Sequence, residues 1–291
     1  MVDALSEIRR ILDKYEDTYA VGETFLSTPN KAAQYCGEEA LHQAFNFKFL
    51  ESAWRAPRFG QATKDWEKAL GRRNWPNYVL SNHDVPRAAS RYGDSENDER
   101  LKVAATMLLT LRGTPFIYYG EEIGMRDIHL KKDHILDPVG RYYWPFYKGR
   151  DRCRAPMQWD ASSHSGFSEG KPWLPLHPNW PYRNVESQYR QQGSLLNCYK
   201  ELLSLRRQVP ALRQGDISFI NDLPAGVLGY ERKLGSSHAV ILLNFTKTGK
   251  TVYLQGISGK CKPLFSTRGV TASGDIKLRG DEGLVLMVNP D

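Results

Sequence analysis

Tyr78-Val79-Leu80-Ser81-Asn82-His83-Asp84-Val85-Pro86-Arg87 is the stretch that decides the fold. Its apolar opening reads as a short buried strand. It runs without a turn signal into a cluster able to do acid, base and hydrogen-bonding chemistry. Working outward, Glu99 to Leu111 predicts a long buried helix, and Gly113-Thr114-Pro115 turns the chain into Phe116 to Tyr119, read as a fourth strand lying in the interior. Upstream, the apolar segment Ala44 to Leu50 precedes a helical stretch over Thr63 to Leu70. Before them, Ser6 to Lys14 carries Ile8, Ile11 and Leu12 at helical spacing and leads into the extended run Tyr19 to Gly22. Strands near Tyr19, Phe45, Val79 and Ile117, separated by helices, imply a parallel α/β layer.

From 120 to 190 the periodicity dissolves into prolines and aromatics, a length that predicts a functional loop rather than a connector. Helical spacing returns over Ser194 to Gln208 and stops at Pro210. Beyond Gln214 short alternating runs, Gly229 to Lys233, Ala239 to Phe245 and Thr251 to Leu254, predict antiparallel strands. The expected domains are therefore 1–213, an α/β domain with its long loop 120–190, and 214–291, a small antiparallel β domain.

In 291 residues, 41% are hydrophobic and 25% charged, which supports a folded core and excludes a disordered chain. The formal charge of +7 is dispersed, so no nucleic-acid partner is expected. The longest nearly apolar run, Val103 to Leu111, is too short to span a bilayer and the opening lacks a secretory apolar region, so the expectation is no membrane association and a cytoplasmic location. Cys36, Cys153, Cys198 and Cys261 form no C-x-x-C pair, which predicts reduced, partly buried thiols and no metal site.

Two carboxylates stand at the C-terminal ends of predicted parallel strands, Glu23 after Tyr19 to Gly22 and Asp84 after Tyr78 to Ser81. In a β/α barrel that is the catalytic face, and a pair of carboxylates there suits acid/base work on a glycosidic bond. Plain alternatives exist for each: a helix N-terminal carboxylate for Glu23, a turn or cap residue for Asp84, a hydrogen-bonded structural imidazole for His83.

Ala20-Val21-Gly22-Glu23-Thr24 and Leu80 to Arg87 resemble the third and fourth signature regions of the α-amylase superfamily, glycoside hydrolase family 13. Gly113 to Met125 resembles that family's eighth strand. Gly149-Arg150-Asp151-Arg152-Cys153-Arg154-Ala155-Pro156-Met157-Gln158-Trp159-Asp160 resembles the loop of its α-glucosidase and oligo-1,6-glucosidase branch. The resemblance implies that Glu23 is the general acid/base, that Asp84 stabilises the transition state and orients the 2- and 3-hydroxyls, and that His83 hydrogen-bonds the same ring. It also implies that Arg150 or Arg154 holds the glucose or its carboxylate, the alternative being an ion pair with Asp151 between them. Trp144, Trp159 and Trp173 either stack on sugar faces or fill the loop core.

The family's retaining chemistry also needs a nucleophilic Asp several tens of residues before the acid/base. Only 22 residues precede Glu23, and Asp3, Asp13 and Asp17 lack the context. The resemblance therefore implies the second half of a (β/α)8 barrel, about four βα units, followed by an antiparallel β-sandwich. Its open edges would need cover, from a missing N-terminal half or by self-association. The expected function is a retaining hydrolase of malto- or isomalto-oligosaccharides, needing no cofactor and inactive alone. Two alternatives remain open: a non-catalytic carbohydrate-binding or subunit-associating protein, and a transglycosylase or sugar isomerase of the same superfamily. The preference between α-1,4 and α-1,6 bonds is undetermined.

Overall fold

Four short parallel strands lie close to the expected positions: β1 Val21–Gly22, β2 Gln43–Ala44, β3 Asn77–Val79 and β4 Thr114–Phe116. In this computed structural model, which describes residues 2–26, 28–269 and 276–289, β1 pairs with β2 and β3 with β4, each in parallel. The side chain of Asp3 and parts of the terminal domain, 270–275 and 290–291, lie outside the described residues. The chain divides into two compact units: Met1–Val79 with Thr106–Phe116 and Leu205–Asp291, and Leu80–Ala105 with Ile117–Ser204.

Within the first unit, the helix expected over Thr63 to Leu70 begins at Ala56. Pro57 hides this start from a reading of breakers, yet proline is tolerated in a first turn, where its missing N–H has no intrahelical partner to lose. Phe59, Thr63, Trp66 and Leu70 recur at helical spacing and are all buried. The run Ala44 to Leu50, expected to be one strand-like segment, leaves the sheet after Ala44. Asn46 Oδ1 accepts a hydrogen bond from the Phe49 amide at 3.1 Å and caps a one-turn helix over Phe47–Leu50.

The fourth strand departs from expectation more sharply. All three residues of β4 are only half-buried, and Ile117 and Tyr119 beyond it are each 38% exposed, so the segment is not an interior strand. Among the described residues β4 pairs with β3 alone. Gly113, at φ +127°, makes the entry to β4, and a Cβ there would lie 2.5 Å from the Pro76 carbonyl oxygen.

From Asp216 the chain forms a five-stranded antiparallel sheet in the order β5 (Asp216–Phe219), β6 (Val227–Leu234), β7 (Ser237–Asn244), β11 (Gly283–Asn289) and β9 (Lys260–Ser266). A separate antiparallel pair, β8 (Lys250–Val252) and β10 (Ile276–Leu278), contributes Val252 and Leu278 to a core cluster with Val240, Leu242, Leu286 and Val288 of the larger sheet. Asn244 is wholly buried and donates to the carbonyls of Thr248 and Arg279, so it is part of the packing. All four cysteines are free, and Cys153 and Cys198 are buried. No helix among the described residues is long and apolar enough to cross a membrane.

Helix Glu99–Thr110 ends on carbonyls that need donors. Arg206 Nη1 donates to the carbonyls of Leu109 (2.8 Å) and Leu111 (3.1 Å), while Arg232, fully buried, donates to those of Thr110 (2.5 Å) and Gly215 (2.8 Å). Burial, and next the neighbouring Arg206 charge, lower the Arg232 guanidinium pKa to about 10, so it remains a cation at neutral pH. Arg232→Met strands two carbonyls in the interior and is expected to lower the unfolding free energy by about 2–3 kcal/mol, read as the midpoint shift in urea. An unchanged midpoint would show that the carbonyls find other donors.

Candidate active site

Asn82, three residues beyond β3, sets the loop that carries the candidate carboxylate. Its Oδ1 accepts the amides of Asp84 and Val85, each at 2.9 Å, and this Asx-type turn fixes the backbone there. Asp84 is left 36% exposed, and its Oδ1 becomes a point of convergence. Arg154 Nη2 donates to it at 2.9 Å, Arg150 Nη1 at 3.4 Å, and His83 Nε2 lies 3.5 Å away. No hydrogen bond from a described residue reaches Oδ2, so half of this carboxylate's accepting capacity is open to a ligand. Arg154 is anchored a second time, its Nε donating to the His83 carbonyl at 2.8 Å.

The two arginines reach Asp84 because the long loop folds back on itself. Ile123, Met125, Ile128, Ala155, Met157 and Leu174 bury its apolar positions together. Arg183 ties the end of the loop to Glu96 at 3.0 Å and to Asp98 at 3.0 Å. A cavity of about 350 Å³ lies alongside Asp84, lined by Val85, Phe146, Tyr147, Arg150 and Cys153 among others. Burial, reinforced by Asp127, pushes the Cys153 thiol up to about 11, so it is no nucleophile at neutral pH.

Of the residues expected from sequence, Asp84, His83, Arg150 and Arg154 are thus brought together in the second unit. Glu23 belongs to the first unit, where it is exposed directly beyond the C-terminal end of β1. Asp151, expected between the two arginines, turns instead to the backbone: its Oδ2 accepts the amides of Leu136 (2.6 Å) and Asp137 (2.8 Å). Trp159 and Trp173 are 49% and 60% exposed, hence not loop core. The sequence reading missed Asp137, which takes Arg150 in a two-point grip, and the exposed aromatics Phe146 and Tyr147 beside Asp84. A usable signal was present in Asp137-Pro138, an N-cap followed by a first-turn proline, which marks a fixed helix start.

Residues 1–215 match the alpha-amylase catalytic domain family. The chain is 32% identical over 258 residues to a probable alpha-glucosidase of Rhizobium meliloti, a match that takes 86% of this chain and 46% of that protein. It is 33% identical over 272 residues to an oligo-1,6-glucosidase of Parageobacillus thermoglucosidasius, covering 82% and 48% respectively. Among solved structures it is similar to the trehalulose synthase of Pseudomonas mesoacidophila MX-45, with a TM-score of 0.88 and 26% identity over 99% of this chain and 58% of that one. A variant of that enzyme has been solved in complex with glucose. The chain spans about half the length of the curated relatives it matches.

The second unit also contains a carboxylate in an unusual environment. Glu121 is buried, accepts a hydrogen bond from the Tyr199 hydroxyl at 2.9 Å, and is pushed by burial from 4.5 up to about 7. An acid with a raised folded-state pKa binds its proton more tightly in the folded chain than in the unfolded one. Its contribution to stability is therefore present below about pH 4.5 and lost as pH rises to about 7. Glu121→Gln keeps the acceptor for Tyr199 and removes the titration. The variant should gain on the native chain by about 1.4 kcal/mol per pH unit between pH 5 and 7. Parallel urea-unfolding curves across that range would expose a mistake by remaining a constant distance apart.

Proposed function

This chain belongs to the α-amylase family, glycoside hydrolase family 13, and we propose that it supplies the sugar-orienting part and the acid/base of a retaining α-glucosidase-type site. The observation that carries the reading is the one-sided loading of Asp84, with Oδ1 occupied by cations and Oδ2 open. A carboxylate held in this way accepts hydrogen bonds from vicinal hydroxyls of a glucose ring, and it opposes the positive charge that develops on that ring in the transition state. Arg154 is the arginine placed to hold this group, being the shorter contact on Asp84 and pinned at the His83 carbonyl. Arg150 stands behind it, gripped by Asp137. Glu23 takes the role of the acid that protonates the leaving oxygen and later activates water.

On this reading 1–213 form the second half of a (β/α)8 barrel with the loop 120–190, and 214–291 a terminal β-sandwich. Substrates are malto- or isomalto-oligosaccharides. Transfer or isomerisation of the same glucosyl group is a second reading, favoured by the likeness to a trehalulose synthase, because glucose recognition of this kind serves either fate of the intermediate. The attacking carboxylate of a retaining mechanism is not among the residues assigned here. Sugar binding without turnover is the expected behaviour of these 291 residues.

Titrating the purified chain with glucose, followed by NMR, should give a dissociation constant on the order of 1–10 mM. Asp84→Asn should weaken it at least tenfold, and Glu23→Gln should leave it unchanged. With p-nitrophenyl α-glucoside no turnover is expected. A rate near ~1 per second that disappears in Asp84→Ala would mean that this sequence carries a complete catalytic set, and no glucose binding at all would remove the assignment.

A further inference from the structure

Arg150 is half-buried and not free to choose its position. Asp137 accepts from it three times: from the backbone amide at 2.9 Å, from Nε at 3.1 Å and, through its other oxygen, from Nη2 at 3.1 Å. The Asp137 side chain is completely buried, and the hydrogen bonds from Arg150 hold its carboxyl below the usual carboxylate range. What remains of the guanidinium is Nη1, and that is the atom that faces Asp84 Oδ1. A guanidinium gripped on its Nε/Nη2 edge presents its remaining nitrogen in one direction only, because the fork is planar.

The loop is built around this grip. Asp151 holds the amides of Leu136 and Asp137, so the carboxylate that grips Arg150 is itself fixed from behind. Gly149 at φ +77° and Gly140 let the two arms of the loop cross: a Cβ on Gly140 would lie 2.6 Å from the Gly149 Cα, and one on Gly149 would lie 3.2 Å from Asp137 Oδ2. No bulkier pair allows the carboxylate to approach the backbone of 149–150 this closely. Between the arms, the segment that carries Phe146 and Tyr147 is displayed beside the cavity at Asp84.

From this geometry we infer that Asp137 is a positioning residue for sugar binding: it acts through Arg150, whose Nη1 it aims at Asp84, and it touches no substrate itself. The inference rests on the sugar-binding reading above. A purely structural role would be capping, since Asp137 also accepts the Val139 amide at 3.3 Å at the start of helix Pro138–Tyr142. Asp137→Asn separates the two roles. Asparagine caps a helix as well as aspartate does, but its NH2 opposes the guanidinium, so the cap survives and the two-point grip does not.

The test uses the full chain and four proteins: native, Asp137→Asn, Arg150→Met and the double variant. Asp137→Asn should stay folded but melt below the native chain, because its buried NH2 opposes the Arg150 amide and Nε, and its glucose affinity should fall about tenfold. Arg150→Met should fall by a similar factor, and the double variant should be no weaker than Arg150→Met, because both substitutions remove one element. Native affinity in Asp137→Asn, or losses that multiply in the double variant, would overturn the inference. If the native chain binds no glucose, the sugar reading fails separately. The side-chain NMR signals of Arg150 then decide the grip alone: resolved Nη signals that coalesce in Asp137→Asn support it, and signals identical in both proteins refute it.

Discussion

The candidate site depends on how one partly exposed carboxylate is balanced by charge without being used up. Asp84 receives Arg154, Arg150 and His83 on a single oxygen. Two guanidinium groups sharing both oxygens would give a tighter ion pair and a closed site, while no cation at all would leave the carboxylate facing only solvent. Loading one oxygen leaves the other to a hydroxyl donor, and the direction of the open lone pairs is then set by the protein rather than by the ligand. Such prepared acceptors are more useful in catalysis than in folding, because exposed ion pairs contribute little to stability.

Keeping two cations on one oxygen without collapse requires each to be restrained elsewhere. Arg154 is restrained by a backbone carbonyl and Arg150 by Asp137, so neither can slide across to Oδ2 without giving up a second interaction. The restraint is stepwise. Asp151 accepts and fixes backbone amides, Asp137 grips Arg150, and Arg150 faces Asp84, so that exposure rises from a fully buried group to the part-exposed Asp84.

The parts legible in the sequence were those in which neighbouring residues decide the structure. An apolar run ending in Asn82-His83-Asp84 placed both β3 and its carboxylate, and the alternation beyond Gln214 located β6, β7 and β8 to within a few residues, though not the other four strands of that domain. The failures turn on a single residue that ends a run, on an unpaired strand edge, or on a partner that is not adjacent in sequence. Ala44 to Leu50 looked uniform, but the cap at Asn46 bends it into a helix, and the apolar Phe116 to Tyr119 was read as interior although β4, among the described residues, pairs with β3 alone and is only half-buried. In the same way, Asp151 looked like the natural counter-ion for arginines on either side of it in sequence, whereas Arg150's partner lies thirteen residues upstream.

That last miss follows from a general feature of long loops. With no periodic hydrogen-bond ladder, a loop of this kind obtains its order from side chain to backbone contacts, and those join residues that are distant in sequence. Asp137, Asp151 and Asn184 each satisfy backbone amides in this stretch, and each does so with a short polar side chain that composition alone would assign to solvent. The glycines that permit the crossing are as informative as the acids. Gly140 and Gly149 have no role as flexible joints, since each sits where a side chain would strike the other arm. A Gly-Arg-Asp sequence paired with an upstream Asp-Pro-x-Gly therefore reads, in physical terms, as a buried carboxylate, a crossing point and a guanidinium aimed outward, whatever ligand that guanidinium serves.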